Sequence, residues 1–268
     1  MSCKYPVITL LTDFGIKDAY VSTMKGIILQ ICPAVKIIDV SHNIPRHNVI
    51  YGSFLLLGAS PYFPSGTIHV AVVDPGVGTA RRRIVIQGRH SFYVGPDNGI
   101  LSLSARKEGI KLAVEVREKR FMLPQISNTF EGRDVFAPIS AYLARGTEIQ
   151  EFGPEIKDLE ELTLKEAIFS EEKILGEILH IDTFKNIITN IPKNLLNEAK
   201  ITENTLLRVS VGKNSQLMRF CKAYGEVPAK MPLIIIGSSD FLEIAVNQGS
   251  ASILFKAKIG DDVIVVPY

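Results

Sequence analysis

Cysteine is scarce in this 268-residue chain: Cys3, Cys32 and Cys221 are odd in number, far apart, and form no CxxC pair. That spacing excludes a disulfide framework and a thiolate metal centre, and it suits a reducing compartment. The chain also lacks a charge of one dominant sign. Lys and Arg total 30 against 28 Asp and Glu, a net charge of +2. No basic surplus points to nucleic acid, and no acidic tail to a solvating segment. Long apolar runs are missing as well, since stretches such as 54–58 and 233–237 fall far short of the ~18–20 residues of a membrane span. Near the start, Asp13 follows the apolar stretch 7–11 too soon for the core of a signal peptide. The five histidines, His42, His47, His69, His90 and His180, show neither HxH nor HExxH spacing, so no metal site is expected. A cytoplasmic protein that binds neither membrane nor nucleic acid is the expectation. What is present is an ordinary globular balance, 46% apolar and 22% charged, in a chain long enough to bury a large core.

The first half alternates strand and helix signals. The short apolar run 7–12, residues 36–40 and the β-branched run 67–73 read as strands, and 19–31 and 48–60 read as helices. Asp18 is the expected N-cap of the first helix, and Pro33 and Pro61 close the two. Residues 84–86 and 91–94 predict a hairpin, and 135–144 a further helix with Pro138 in its first turn. Strand, loop, helix, strand is the grammar of right-handed βαβ units, in which ligands sit at the carboxyl ends of the strands. Polar loops starting at Asp13, Ser41 and Asp74 all open at that edge. Composition changes near Asp158. Residues 158–173, rich in Glu and Lys, read as a linker with partial helix. Beyond it, short β-branched runs at 176–181, 186–191, 206–211, 233–236, 241–246 and 262–266 predict a small sandwich or barrel. The expected architecture is α/β: a mainly parallel N-terminal sheet with flanking helices (1–157), the linker (158–173), and a smaller all-β, barrel-like C-terminal domain (174–268).

Few local features carry chemistry unaided. Gly76-Val77-Gly78-Thr79 before Arg81-Arg82-Arg83 lacks the GxxxxGK[ST] spacing of a phosphate loop. Asp13 and Asp74 beside glycines are ordinary turn formers singly, but two at parallel strand ends point to a site. Arg81, seven residues past Asp74, can fold back across the glycine-rich turn, whereas Arg82 and Arg83 read as a solvated charge run. Arg133 and Asp134 suit a structural role at a helix start. Glu131 beside Gly132 is less easily explained that way. Asp182, Asn186, Ser238 and Ser239 lie at the ends of β runs, where each alone is an ordinary turn residue.

Taken in order, several longer blocks carry a resemblance. They are Leu11-Thr12-Asp13-Phe14-Gly15, Met24-Lys25-Gly26, Ile38-Asp39-Val40-Ser41-His42, Val72-Val73-Asp74-Pro75-Gly76-Val77-Gly78-Thr79 and Pro96-Asp97-Asn98-Gly99, then residues 129–138, Ile187-Ile188-Thr189-Asn190-Ile191 and Phe241-Leu242-Glu243-Ile244-Ala245-Val246-Asn247. Over nearly its whole length the chain resembles the S-adenosyl-L-methionine (SAM) hydroxide adenosyltransferases, relatives of fluorinase and chlorinase. The resemblance implies hydrolysis of SAM to adenosine and methionine, with SAM as substrate and no separate cofactor. It also implies a homotrimer with sites at subunit interfaces, between one subunit's N-terminal domain and its neighbour's C-terminal domain. By motif position, Asp13 would hold the ribose hydroxyls, Asp182 the methionine ammonium and Asn186 the adenine. Ser238, Ser239 and Glu243 would surround the amino acid or base, and Val246 would offer backbone contacts. Asp74 and Arg81 match two members of an Asp–Arg–His set that handles water. The chain departs from the pattern at the third, with Glu131 in place of His, and replaces two glycines by Lys185 and Asp240.

The chemistry asks for little. Water attacks C5′ of a sulfonium, and the leaving thioether needs no proton, so positioning and proton removal at the water are the whole task. Glu131 can be read as a base with a raised pKa, as an orienting partner of Arg81, or as the mark of a weakened site in a protein that only binds adenosine or SAM. A halide beside Asp74 and Glu131, were both ionised, would meet like charge, so hydrolysis without halogenation is expected.

Overall fold

The computed structural model describes residues 6–162 and 165–268, which fall into two compact units, Met1–Leu162 and Thr163–Tyr268. In the first, β1 (Val7–Thr12), β2 (Lys36–Ser41), β3 (Ile68–Val72), β4 (Arg83–Gly88), β5 (Phe92–Pro96) and β6 (Ile110–Glu115) form a sheet in the order β2-β1-β3-β5-β4-β6. β2, β1, β3 and β5 run parallel, and β4 lies antiparallel between β5 and β6. The expected hairpin is β4–β5. Helices α1 (Tyr20–Ile31), α2 (Val49–Ala59), α3 (Ser102–Glu108) and α4 (Ala137–Ala144) flank the sheet.

Both faces of the sheet are covered, which is why β1 and β3 are buried along their whole length rather than at alternate residues. Ile68, Val70 and Val72 of β3 pack with Met24 and Ile28 of α1 and Ile139 of α4. Ala71 and Val73 face the other way, toward Leu56 of α2 and Ala105 of α3. The N-cap of α1 is Ala19, with no side-chain cap, so Asp18 does not take the expected role. Asn48 does cap α2, its Oδ1 accepting from Tyr51 N at 2.9 Å.

His69 of β3 is fully buried, 2.8 Å through Nδ1 from Thr9 Oγ1 and stacked on Tyr93. Burial pulls its pKa down to about 4. The unfolded chain binds that proton near pH 6.5 and the folded chain does not, so stability falls as pH drops from 6.5 toward 4, at up to about 1.4 kcal/mol per pH unit. Denaturant unfolding of wild type against His69→Gln, which cannot titrate, is expected to show that slope in wild type alone.

The second unit comprises β7 (Ile168–Ser170), β8 (Lys173–Ile181), β9 (Ile187–Pro192), β10 (Leu206–Val211), β11 (Asn214–Phe220), β12 (Pro232–Ile236), β13 (Phe241–Val246) and β14 (Asp262–Pro267), with α5 (Lys193–Glu198) and α6 (Ala251–Phe255). The order β14-β10-β11-β12-β13-β9-β8 closes because β8 also pairs with β14. Of the sandwich and barrel alternatives the chain forms a seven-stranded barrel, which leaves no open edge. β7 pairs antiparallel with the first residues of β8, ahead of the stretch that pairs with β9.

The segment read as a partly helical linker has no helix among its described residues. At its start, Asp158 pairs with Arg82 and Glu160 N donates to Asp97 Oδ1 at 3.0 Å. Those side-chain partners take backbone and charge that a helix would have used. Residues 168–170 are already strand, while 163 and 164 lie outside the described residues. Among the described residues no helix is long and apolar enough to cross a membrane.

Candidate active site

β1 and β3 are parallel neighbours, so the loops that begin at Asp13 and Asp74 open at one edge of the sheet. Between them lies a cleft of about 450 Å³ bordered by Asp13, Asp74 and Glu131. Phe14, Tyr20 and Phe130 form its aromatic wall, with ring centroids 4.9 to 5.9 Å apart. Asp13 Oδ2 accepts from His47 N at 3.0 Å, which fixes the carboxylate at the rim. Behind the loop, Thr12 Oγ1 lies 2.9 Å from His42 Nδ1, and His42 Nε2 lies 3.1 Å from Asp39, which also binds Lys25.

The turn after β3 folds Arg81 back. Val77 N donates to Asp74 O and Thr79 N to Gly76 O. Gly78 has φ +76°, and a Cβ there would lie 2.2 Å from the Asn128 carbonyl oxygen, so glycine is obligatory. Arg81 then forks onto Asp74, Nε donating to Oδ1 at 3.0 Å and Nη2 to Oδ2. The same Nη2 donates to Glu131 Oε2 at 2.5 Å, and the other carboxylate oxygen, Oε1, accepts from Arg83 Nη2 at 2.5 Å. Glu131 opens a π-helical turn, Gly132–Phe136, that runs into α4. Arg133 and Asp134 pair with each other, and Asp134 Oδ2 accepts from Ser127 N, which is the structural role expected of them.

The side chains of Asp74, Arg81 and Glu131 are 6%, 10% and 2% exposed, so their charges meet in a poorly hydrated place. Burial pulls the Arg81 guanidinium down, but Asp74 and Glu131 outweigh it and hold it above its ordinary value. Burial likewise pushes the Glu131 carboxyl up, yet the Arg83 hydrogen bond and the Arg81 charge hold it below the usual carboxylate range. The raised pKa expected of a Glu131 base is therefore corrected: two guanidiniums overcome the cost of burial. The solvated charge run is corrected as well. Arg83, at the start of β4, binds the buried Glu131, and Arg82, just before the strand, binds the buried Asp97 and the exposed Asp158.

In the barrel, Asp182 and Asn186 flank the β8–β9 turn. Asn186 N donates to Asp182 Oδ1 at 2.8 Å, and Asn186 Nδ2 to Oδ2 at 3.1 Å. Glu243 of β13 is buried and accepts from Tyr224 hydroxyl at 2.6 Å. Burial pushes the Glu243 carboxyl up and the Asp182 charge adds to it, against the pull of Tyr224. Ser238 and Ser239 sit in the β12–β13 turn, and Val246 ends β13. Tyr224 escaped the sequence reading because nothing around it marks a site.

Lys185 and Asp240 hold φ of 69° and 62°. That left-handed conformation strains a side chain with a Cβ. Lys185→Gly is expected to stabilise the fold by about 0.5–1 kcal/mol after the entropy gained by the unfolded chain. Asp240→Gly is expected to give less, since Asp tolerates this region. Urea midpoints of the two variants check the order.

A family model described as the SAM hydroxide adenosyltransferase N-terminal domain matches residues 8–153, and the corresponding C-terminal domain matches residues 176–264. The (R)-S-adenosyl-L-methionine hydrolase of Methanocaldococcus jannaschii is 35% identical, over 97% of this chain and 95% of its own. The protein of that name from Thermus thermophilus is 36% identical, over 90% and 92%. A crystal structure of an uncharacterized conserved protein from Thermotoga maritima superposes with a TM-score of 0.93 at 36% identity, covering 97% of this chain and 99% of that one.

Proposed function

We propose, from the premise that this chain belongs to the SAM hydroxide adenosyltransferase family, that its cleft hydrolyses S-adenosyl-L-methionine to adenosine and L-methionine. The observation that carries this reading is full-length similarity to SAM hydrolases in a chain whose Asp74, Arg81 and Glu131 meet at the carboxyl edge of the sheet. Water oxygen bonds to C5′ as the C5′–S bond breaks, and its electron pair leaves on sulfur as a neutral thioether. The sulfonium charge leaves as one proton released from the water.

Each residue has a task in that step. Asp74 accepts from the water and aims a lone pair at C5′, while Arg81 holds Asp74 and stabilises the hydroxide character that develops. Glu131 stays ionised at neutral pH and orients Arg81. Asp13 binds the ribose hydroxyls. Asp182, Asn186, Ser238, Ser239, Glu243 and the Val246 backbone hold the methionine and adenine moieties. The relatives' names point to the (R) sulfonium epimer as substrate. The reaction as written requires no cofactor. The protein acts as a homotrimer, the barrel of one protomer completing the cleft of its neighbour. A reducing cytoplasm suits the free, buried thiols of Cys32 and Cys221.

Incubation with each SAM epimer is expected to yield adenosine and methionine in equal amounts, faster from the (R) form. Oxygens that only accept suit a water better than a halide, so added chloride or fluoride is expected to give no 5′-halogenated nucleoside. Absence of adenosine with either epimer sinks the reading. Light scattering tests the trimer. Mixing an Asp74→Asn chain with an Asn186→Ala chain tests the shared site, because only mixed trimers carry one intact site.

A further inference from the structure

We propose that Arg83 is a positioning residue of the water site: its guanidinium holds one oxygen of Glu131 so that the other stays on Arg81 and Arg81 stays forked on Asp74. This rests on the hydrolase reading above. Four side chains form one chain of contacts, Asp74–Arg81–Glu131–Arg83, linked by a bidentate pair and two 2.5 Å hydrogen bonds. Two carboxylates and two guanidiniums sum to zero charge. Without Arg83 the array has one more negative charge than positive, in a place where Glu131 is 2% exposed.

A buried carboxylate short of positive charge relieves that imbalance by taking a proton. Protonated Glu131 keeps one oxygen as a hydroxyl, and its grip on Arg81 Nη2 weakens. Arg81 Nη2 is shared between Asp74 and Glu131, so losing one acceptor frees the guanidinium to turn away from where hydroxide develops. Arg83 is well placed to prevent this and has little else to do. Its side chain is one-third exposed, and among the described residues its Nε finds no hydrogen-bond partner. The charged groups that face Glu131 are Arg81 and Arg83. Asp74 stands behind Arg81, Asp13 borders the same cleft, and Arg133 and Asp134 of the following turn are taken up with each other.

The consequence is a pH effect with a definite sign. Arg83 holds the Glu131 pKa down, so Glu131 stays ionised into the acid range and the acid limb of kcat lies low. In Arg83→Met that limb is expected to move up by about one pH unit. At neutral pH Glu131 stays ionised in this variant, and loss of the hydrogen bond that orients it is expected to lower kcat by about 10-fold with KM little changed, because substrate contacts are untouched; below the shifted limb the loss is larger. Arg83→Lys keeps the charge without the fork, so it restores the acid limb more fully than kcat. On a Glu131→Gln background Arg83→Met is expected to move nothing further.

Carboxyl-carbon NMR titration of glutamate-labelled protein reads the same shift without turnover, the Glu131 signal being the one missing from Glu131→Gln. Circular dichroism confirms that each variant is folded. A wild-type acid limb and an unmoved Glu131 titration in folded Arg83→Met overturn the inference, as does a simple product of the Arg83→Met and Glu131→Gln effects. If wild type makes no adenosine, the hydrolase reading fails, and the NMR titration still decides whether Arg83 governs Glu131.

Discussion

Arg81→Met is expected to lower the turnover of SAM by about 10²–10³-fold or more, the cost of removing a preorganised donor from a developing anion. The loss falls on kcat rather than KM, because Arg81 acts on the water and not on the nucleoside. The same change removes the partner shared by Asp74 and Glu131, both nearly inaccessible to solvent. Breaking a buried pair by deleting one member costs about 3–5 kcal/mol, so a lower unfolding midpoint accompanies the lost activity. Part of that cost is relieved when the two carboxylates share a proton, so the deficit in stability relative to wild type shrinks at acid pH. Arg81→Lys keeps the charge but cannot fork across Asp74 while also reaching Glu131, so most of the loss remains. Single-turnover rates of adenosine formation at saturating substrate measure the effect. An Arg81→Met enzyme within about threefold of wild type would remove Arg81 from the mechanism.

Glu131→Gln is expected to reduce kcat by about 10- to 100-fold. The amide keeps the shape of Glu131 and removes its charge, leaving Arg81 and Arg83 as like charges with a neutral group between them. Its effect distinguishes the two active roles considered for this residue. A base lost from the water step leaves a rate that rises steeply with hydroxide. A lost orienting partner leaves a lowered rate with no acid limb from Glu131. The depressed pKa of Glu131 favours the second outcome, since a carboxylate held well ionised is a weak base. Glu131→His, which installs the residue that the motif resemblance implies here, is expected to recover only part of the rate, because Arg83 then faces an imidazole instead of a carboxylate. Full activity in both Glu131→Gln and Glu131→His would show that this position has no part in the reaction.

Much of the architecture is legible without coordinates. The alternation of strand and helix signals from 7 to 73 announces a mainly parallel sheet, and the short β-branched runs past 176 announce the second, all-β unit. α3 and β6 went unread because the helix is only seven residues long and the strand has a half-exposed, mixed pattern. Asp18 was misplaced as a cap because capping depends on backbone angles one residue away. The family motifs single out Asp13, Asp74 and Arg81 because the glycine-rich turns around them are local.

The division follows the range of the forces involved. Strand and helix periodicity and turn glycines act over a few residues, so spacing was enough for the α/β half and the all-β half, while the family rests on the resemblance carried by the ordered motifs. Barrel closure rests on β8 meeting β14, about ninety residues apart, and no local pattern encodes that pairing. The state of Glu131 is of the same kind. Read as a lone buried carboxyl it belongs with raised pKa values. Folding brings Arg81 and Arg83 onto it from 50 and 48 residues away. Two opposite charges at hydrogen-bond distance outweigh desolvation, so the sign of the shift was settled by the tertiary contacts.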